Sequence, residues 1–422
     1  MSRQSILAAG VIGMLLSGCA ATGAGPSSSA PAGGQWVASW GTAQLVPDAQ
    51  NELPAAQWKD ASLRQVVRVS LGGASLRVRL SNALGTQPLT IDAASVALSA
   101  GPGRAEVDPA SLRALRFNGA ASVTIPAGAE YVSDPVALRH AAGADLAITM
   151  HFNEAPARQT SHPGSRATSF VTSGQRVMDA AWPQAEKVTR WYQIAGVETQ
   201  SAPGARAVVA IGDSITDGYG VQPDTNARWT DALATRLRDA GLELAVVNAG
   251  IGGGRLLRDG LGPNMVSRFE RDVLARPGVS HAIVMIGVND FGVQHRNKED
   301  TPEARARLLE DLKQAHRQLV ASAHARGICV VGATITPYAG SGYYQLGPEN
   351  EADRQDYNDW IRHSGTFDGV ADFDAALRDP ARPSYLLKAY DNDGLHPSLD
   401  GYKAMAAAVP FEPLRQCAFA AR

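Results

Sequence analysis

The chain has 422 residues, more than one domain usually holds, so two units of unequal type are expected. Hydrophobic residues make up 45% and charged residues 19%, with a formal net charge of −2. That balance suits a globular chain with real cores and excludes a bulk positive field for nucleic acid or an anionic membrane. The basic residues are dispersed. In Leu76-Arg77-Val78-Arg79-Leu80 they alternate with apolar ones, as on a strand with one solvated face.

Taken in chain order, the first feature is Arg3 followed by an apolar run over 6–16, too short to span a bilayer and suited to the core of a signal peptide. It leads into Leu16-Ser17-Gly18-Cys19, which has the form of a bacterial lipobox with Cys19 as the lipidated residue. Ala20 follows, and the absence of Asp there matches outer-membrane sorting. A plain signal peptide cut near Ala20 is the alternative. Residues 1–19 are therefore assigned to export and 20–35, rich in Ala, Gly, Pro and Ser, to a flexible tether. Membrane contact is expected only through the lipid anchor, with the mature protein at the outer membrane, in the periplasm or outside the cell.

Residues 36–200 read as strands. Leu63, Gln65, Val67 and Val69 alternate with Arg64, Val66 and Arg68, and Leu76, Val78 and Leu80 alternate with Arg77 and Arg79. Gly72-Gly73 between the two runs predicts a hairpin. Further runs at 89–98, 122–125, 146–152 and 188–194 predict a β-sandwich or jelly-roll-like unit.

From 205 to 422 the pattern changes. Continuous apolar runs at 207–211, 244–248, 282–286, 328–335 and 370–373 alternate with helical stretches at 229–240, 266–275, 302–325 and 349–364. That alternation predicts a flavodoxin-like three-layer α/β/α domain around five parallel strands, with its ligand beyond their carboxyl ends. Cys329 lies in the fourth run and reads as a buried inert thiol; a disulfide to Cys417 is the alternative in an oxidising compartment. Three scattered Cys and nine dispersed His offer no zinc spacing.

The strand ends carry the chemistry. The first run ends in Gly212-Asp213-Ser214, where Ser214 serves either as a helix N-cap or as a presented hydroxyl. The second leads into Asn248-Ala249-Gly250-Ile251-Gly252-Gly253-Gly254-Arg255, which does not match G-x-G-x-x-G but lets backbone N–H groups approach a ligand closely. The third ends in Gly287-Val288-Asn289-Asp290, where Asn289 caps a turn or offers a neutral amide donor. Near the end, Asp393-Gly394-Leu395-His396 spaces a carboxylate three residues before an imidazole, either a surface turn or an orienting pair. Asp213 and Asp290 read as capping or supporting groups, not as an acid–base dyad. The lipase elbow G-x-S-x-G is absent.

In these four ordered blocks, residues 205–410 resemble the SGNH (GDSL-type) hydrolases, and Trp36-Val37-Ala38-Ser39-Trp40-Gly41-Thr42 resembles the N-terminal extension of certain secreted bacterial members. The resemblance implies a carboxylic ester hydrolase with Ser214 as nucleophile, His396 as base and Asp393 as its orienting acid. It also implies an oxyanion hole of the Ser214 and Gly253 N–H groups and the Asn289 side chain. The Gly252–Gly254 run leaves room for a shift of one residue. No cofactor or metal is implied. The leading substrate is an O-acyl, chiefly O-acetyl, polysaccharide; a lipid or lysophospholipid ester comes second, and a non-catalytic surface binding protein third. The tyrosines of Thr336–Tyr344 line an acyl or sugar groove or pack a loop, and His162 and Arg166 read as surface or structural residues.

Overall fold

The computed structural model describes residues 34–419. The expected export segment and Cys19 lie outside the described residues. From Gly34 onward the chain forms one compact unit.

Its β-rich half is a sandwich of two antiparallel sheets. In one, Gln35–Gly41 pairs with Ile194–Ser201, which pairs with Gly73–Ser81. In the other, Ala61–Arg68 lies between Ser169–Ser173 and Asp145–Phe152. Leu76, Val78 and Leu80 of the first sheet meet Leu63, Val67, Ile148 and Met150 of the second in one core. Each such side chain contributes about 1.5–3 kcal/mol by leaving water.

Two expectations fail here. The Gly72-Gly73 connection is not a hairpin, because Ala61–Arg68 and Gly73–Ser81 belong to different sheets. Alternation identified both strands, but it carries no information about which strand is the neighbour. The outer face of Ala61–Arg68 is covered. Val66 packs with Ala105, Phe170 and Trp182. Buried Arg64 donates to Thr149 Oγ1 (2.9 Å) and to the carbonyls of Ala105 and Asp179 (both 2.6 Å), with its guanidinium 4.1 Å from the Trp182 ring centre. Burial lowers its pKa to about 10. The 188–194 run is also broken, into Glu186–Val188, Trp191–Tyr192 and the start of Ile194–Ser201.

The second half is the expected α/β domain. Arg206–Gly212, Leu244–Gly250, Val279–Met285, Cys329–Ala333 and Gly369–Ala371 form a parallel sheet in the order second, first, third, fourth, fifth. Successive residues feed opposite faces. Val209 and Ile211 pack toward the helices Pro302–His324 and Pro348–His363, whereas Val208 and Ala210 pack toward Trp229–Asp239 and Leu399–Ala408. Local signals set the helices: Thr301 accepts from Ala304 N–H, Pro302 opens the first turn, and Leu309, Leu312, Leu319 and Ala323 form the buried stripe.

The halves share structure. Val37, Ala43, Leu45 and Leu71 of the sandwich join the core on one face of the parallel sheet. At the edge strand Leu244–Gly250, Val246 N–H donates to Ser70 Oγ (2.9 Å), so the β-rich half covers a sheet edge that would otherwise be open. Cys329 is not an inert thiol: it is bonded to Cys417, with Cα atoms 5.5 Å apart. No described helix is long and apolar enough to cross a membrane.

Candidate active site

In a sheet of this order the first and third strands diverge at the switch point, which opens a crevice at their carboxyl ends. Ser214 follows the first strand and Asn289 the third. Asp213 Oδ1 accepts from Ile215 N–H (2.9 Å) and caps the single helical turn Ser214–Asp217, so Ser214 opens that turn and does not cap it. Ser214 Oγ lies 2.8 Å from His396 Nε2, although the two residues are 182 positions apart. His396 Nδ1 lies 2.8 Å from Asp393 Oδ2. The other Asp393 oxygen accepts from the backbone N–H groups of His396 (2.8 Å) and Leu395 (3.1 Å), so the turn fixes the carboxylate before it meets the ring. With Asp393 accepting at Nδ1, the imidazole carries its proton there and leaves Nε2 free to accept from Ser214.

Electrostatics support that state. Burial, with the Arg166 charge as a smaller contribution, outweighs the Asp393 carboxylate and lowers the His396 pKa below its ordinary 6.5. Burial alone would raise the Asp393 pKa, but its hydrogen bonds from His396 hold it below the usual carboxylate value.

On the opposite wall, Asn289 Oδ1 accepts from Tyr344 Oη (2.5 Å), and Nδ2 donates one hydrogen to Gly254 O (2.9 Å). Those bonds fix the amide orientation and leave its second N–H for the cavity. Gly254 N–H donates to Ile251 O (2.9 Å), which commits it to its turn, whereas Gly252 and Gly253 line the cavity with Ser214. Among the described residues no protein acceptor takes the Ser214 or Gly253 N–H. Gly253 has φ +67° and Gly287, before Asn289, has φ +129°; a Cβ at Gly287 would lie 2.9 Å from Ile335 Cδ1.

Asp213 and Asp290 have the supporting places expected of them. Asp290 accepts from Leu256 N–H (3.0 Å) and Leu257 N–H (3.4 Å), which pins the glycine-rich loop. Burial raises the pKa of Asp213 to about 7 and that of Asp290 to about 6.

The tyrosine loop divides between its two readings. Tyr338 is fully buried packing, whereas Tyr343 is 48% exposed at the cavity. Tyr343 Oη lies 3.1 Å from Tyr219 Oη, and the Tyr219 ring stacks on His396 with centres 3.9 Å apart.

Of the surface and structural readings, His162 takes the structural one and Arg166 lies between the two. His162 is buried, with Nδ1 2.8 Å from Ala43 O and Nε2 2.9 Å from Asp217 Oδ1, on the turn that begins at Ser214. Arg166 is half-buried, with its guanidinium carbon 5.7 Å from the Tyr219 ring centre. Nothing in the local sequence marks them, because their partners lie more than fifty positions away.

Among the described residues, one grouping has metal-ligand chemistry: His281, Cys329 and Cys417, whose donor atoms lie within 4.8 Å of one another. Its two sulfurs are joined in the disulfide, and Cys329 opens its strand, so the grouping sits at the end of the sheet away from Ser214.

A hydroxyl, an imidazole and a carboxylate in one hydrogen-bonded line, at the switch point of a flavodoxin-like sheet, define the class of an ester hydrolase. Residues 210–404 match the GDSL-like Lipase/Acylhydrolase family, which supports an ester hydrolase. No curated protein matches the chain. Similar solved structures include a G-D-S-L-family protein from Desulfitobacterium hafniense (26% identity, 48% of this chain and 96% of that one, TM-score 0.36). Two others are an acetyl-xylooligosaccharide esterase from Geobacillus (22%, 48% and 91%, 0.37) and a carbohydrate acetylesterase from Sinorhizobium meliloti (17%, 48% and 95%, 0.37).

Proposed function

We propose that the protein is an exported serine esterase that removes O-acyl groups, chiefly acetyl, from a polysaccharide. Ser214 Oγ attacks the ester carbonyl while His396 Nε2 takes its proton, and a tetrahedral intermediate forms. The oxyanion is met by the Ser214 and Gly253 N–H groups and the free amide hydrogen of Asn289. His396 then returns the proton to the leaving alcohol, which departs and leaves an acyl-Ser214; water repeats the cycle and releases the acid. The observation that carries this reading is the pair of 2.8 Å contacts from Ser214 through His396 to Asp393. No step calls for a cofactor.

The polysaccharide assignment rests on the exposed Tyr219 and Tyr343 rings beside His396, where a sugar leaving group could stack. Export and a lipid anchor at Cys19 are part of the proposal, and the Cys329–Cys417 disulfide supports an oxidising compartment. We also take 36–200 and 205–422 as its sandwich and hydrolase domains. The second reading, a lipid or lysophospholipid acylhydrolase, draws on Leu261, 67% exposed at the cavity mouth.

The test compares a chain-length series of p-nitrophenyl esters with acetate release from O-acetylated glycans. Short-chain preference with acetate release is expected. Long-chain preference without it moves the assignment to lipids. A Ser214→Ala variant that keeps turnover would remove the esterase mechanism altogether.

A further inference from the structure

The cavity in front of Ser214 has a volume of about 420 Å³, and its lining includes Arg255 and Arg296 but neither Asp nor Glu. Most arginines close to the cores of this protein have assigned partners: Arg268 with Asp272 at 3.0 Å, Arg354 with Asp374 at 2.7 Å, Arg228 with Asp231 at 3.1 Å. Arg255 and Arg296 differ. Among the described residues, neither has a carboxylate oxygen within 4.0 Å. Arg255 donates from Nη2 to the Asp259 carbonyl, and its Nε is buried with no acceptor. Arg296 is exposed, its guanidinium carbon 5.7 Å from the ring centre of Tyr344, the residue that bonds Asn289. A guanidinium without a carboxylate partner, facing a cavity with no acidic residue, is a ready binding site for a planar anion, which it can hold by two parallel N–H bonds.

We propose that the substrate of this site is an ester that carries a carboxylate, and that Arg255 and Arg296 bind that carboxylate. The inference rests on the Ser214 esterase reading and adds its specificity. Arg255 directly follows the Gly252–Gly254 run and Arg296 lies against Tyr344, which bonds Asn289, so both belong with the Gly253 and Asn289 side of the cavity. The leaving alcohol must face His396 to receive its proton, so a group on the arginine wall belongs to the acyl part or to a charged sugar reaching across the cavity. A second cavity of about 740 Å³ adjoins the first at Arg255 and Val293, which line both, so there is room for an extended substrate. A dicarboxylic half-ester and an O-acetylated polyuronate present the same carboxylate chemistry from these two sources.

The experiment measures kcat/KM in neutral and anionic pairs at low ionic strength. One pair is p-nitrophenyl butyrate and p-nitrophenyl hemisuccinate; the other is acetate release from acetylated xylan and from an acetylated polyuronate. A preference of about tenfold for the anionic member of at least one pair is expected, and which pair shows it identifies the source. About 1 M salt should reduce the preference. The double variant Arg255→Gln/Arg296→Gln should bring the ratio close to one, and Arg255→Lys/Arg296→Lys should restore part of it. The readout is the ratio within one protein, so a general loss of rate does not mimic the effect. Equal or better turnover of the neutral member in both pairs overturns the proposal while leaving the esterase reading intact. A wild-type protein that cleaves none of the four esters overturns both.

Discussion

His396 is caught between opposing influences, and its pH behaviour follows from them. Burial and the Arg166 charge favour the neutral ring, whereas Asp393 favours the charged one, and the first pair prevails. The base must be neutral to act. The acid limb of kcat/KM should therefore lie below pH 6.5, with activity lost as pH falls through it. Arg166→Gln removes a cation that disfavours the imidazolium, so a pH–rate profile should show the limb moved upward. Tyr344 acts through Asn289 as a positioning residue. Without the hydroxyl the amide loses one of its two anchors, so Tyr344→Phe should lower kcat by about tenfold with little change in KM, whereas Asn289→Ala should cost about 10²–10³ in kcat. A rise in KM alone would show that Tyr344 merely shapes the cavity. The four residues that meet at this cavity, Ser214, Asp393, His396 and Asn289, were candidates in the sequence because each sits at a strand end or in a short spaced motif. Tyr344 was not, since its role depends on where one loop returns.

At the scale of elements, the turn at Ser214 stands on a buried carboxyl. Asp213 has a folded pKa of about 7 against an ordinary 3.8, and its Oδ2 has no partner. A raised carboxyl contributes stability that is fully present below 3.8 and lost as pH rises through about 7. Asp213→Asn keeps an oxygen for the cap and removes the titration. Its melting temperature relative to wild type should therefore rise between about pH 5 and about pH 8, with up to about 4 kcal/mol at stake. A constant difference across that range would contradict the assignment. The Cys329–Cys417 bond closes a separation of 88 residues, and replacing both with Ser should cost about 2–5 kcal/mol in denaturant unfolding. The five parallel strands and the four helices expected between them were readable to within a few residues, because buried strands need continuous apolar runs and helices carry their own caps, whereas Val288–Arg296 and Leu399–Ala408 were not foreseen. The sandwich was readable as strands but not as sheets. Pairing there depends on contacts such as Asp145–Phe152 with Ala61–Arg68, about eighty positions apart, and alternation does not encode them.

For the molecule as a whole, the β-rich half is built against the turn that begins at Ser214. His162 bonds Asp217, three residues after Ser214, and Arg166 approaches Tyr219, which stacks on His396. Replacing His162 with Ala leaves a buried carboxylate without its partner, which should cost about 3–5 kcal/mol and also reduce kcat. Unfolding and kinetics measured on one preparation would check both, and unchanged turnover in a destabilised protein would limit the contact to stability. This link between the halves was invisible in the sequence, where composition and periodicity separate them cleanly. The central claim is that the hydroxyl of Ser214 is activated by His396. Reaction with a fluorophosphonate, followed by peptide mapping, tests it most directly. The account predicts one adduct per chain, on the peptide containing Ser214, strongly slowed in His396→Ala. An unreactive Ser214, or an adduct formed equally fast without His396, would contradict it.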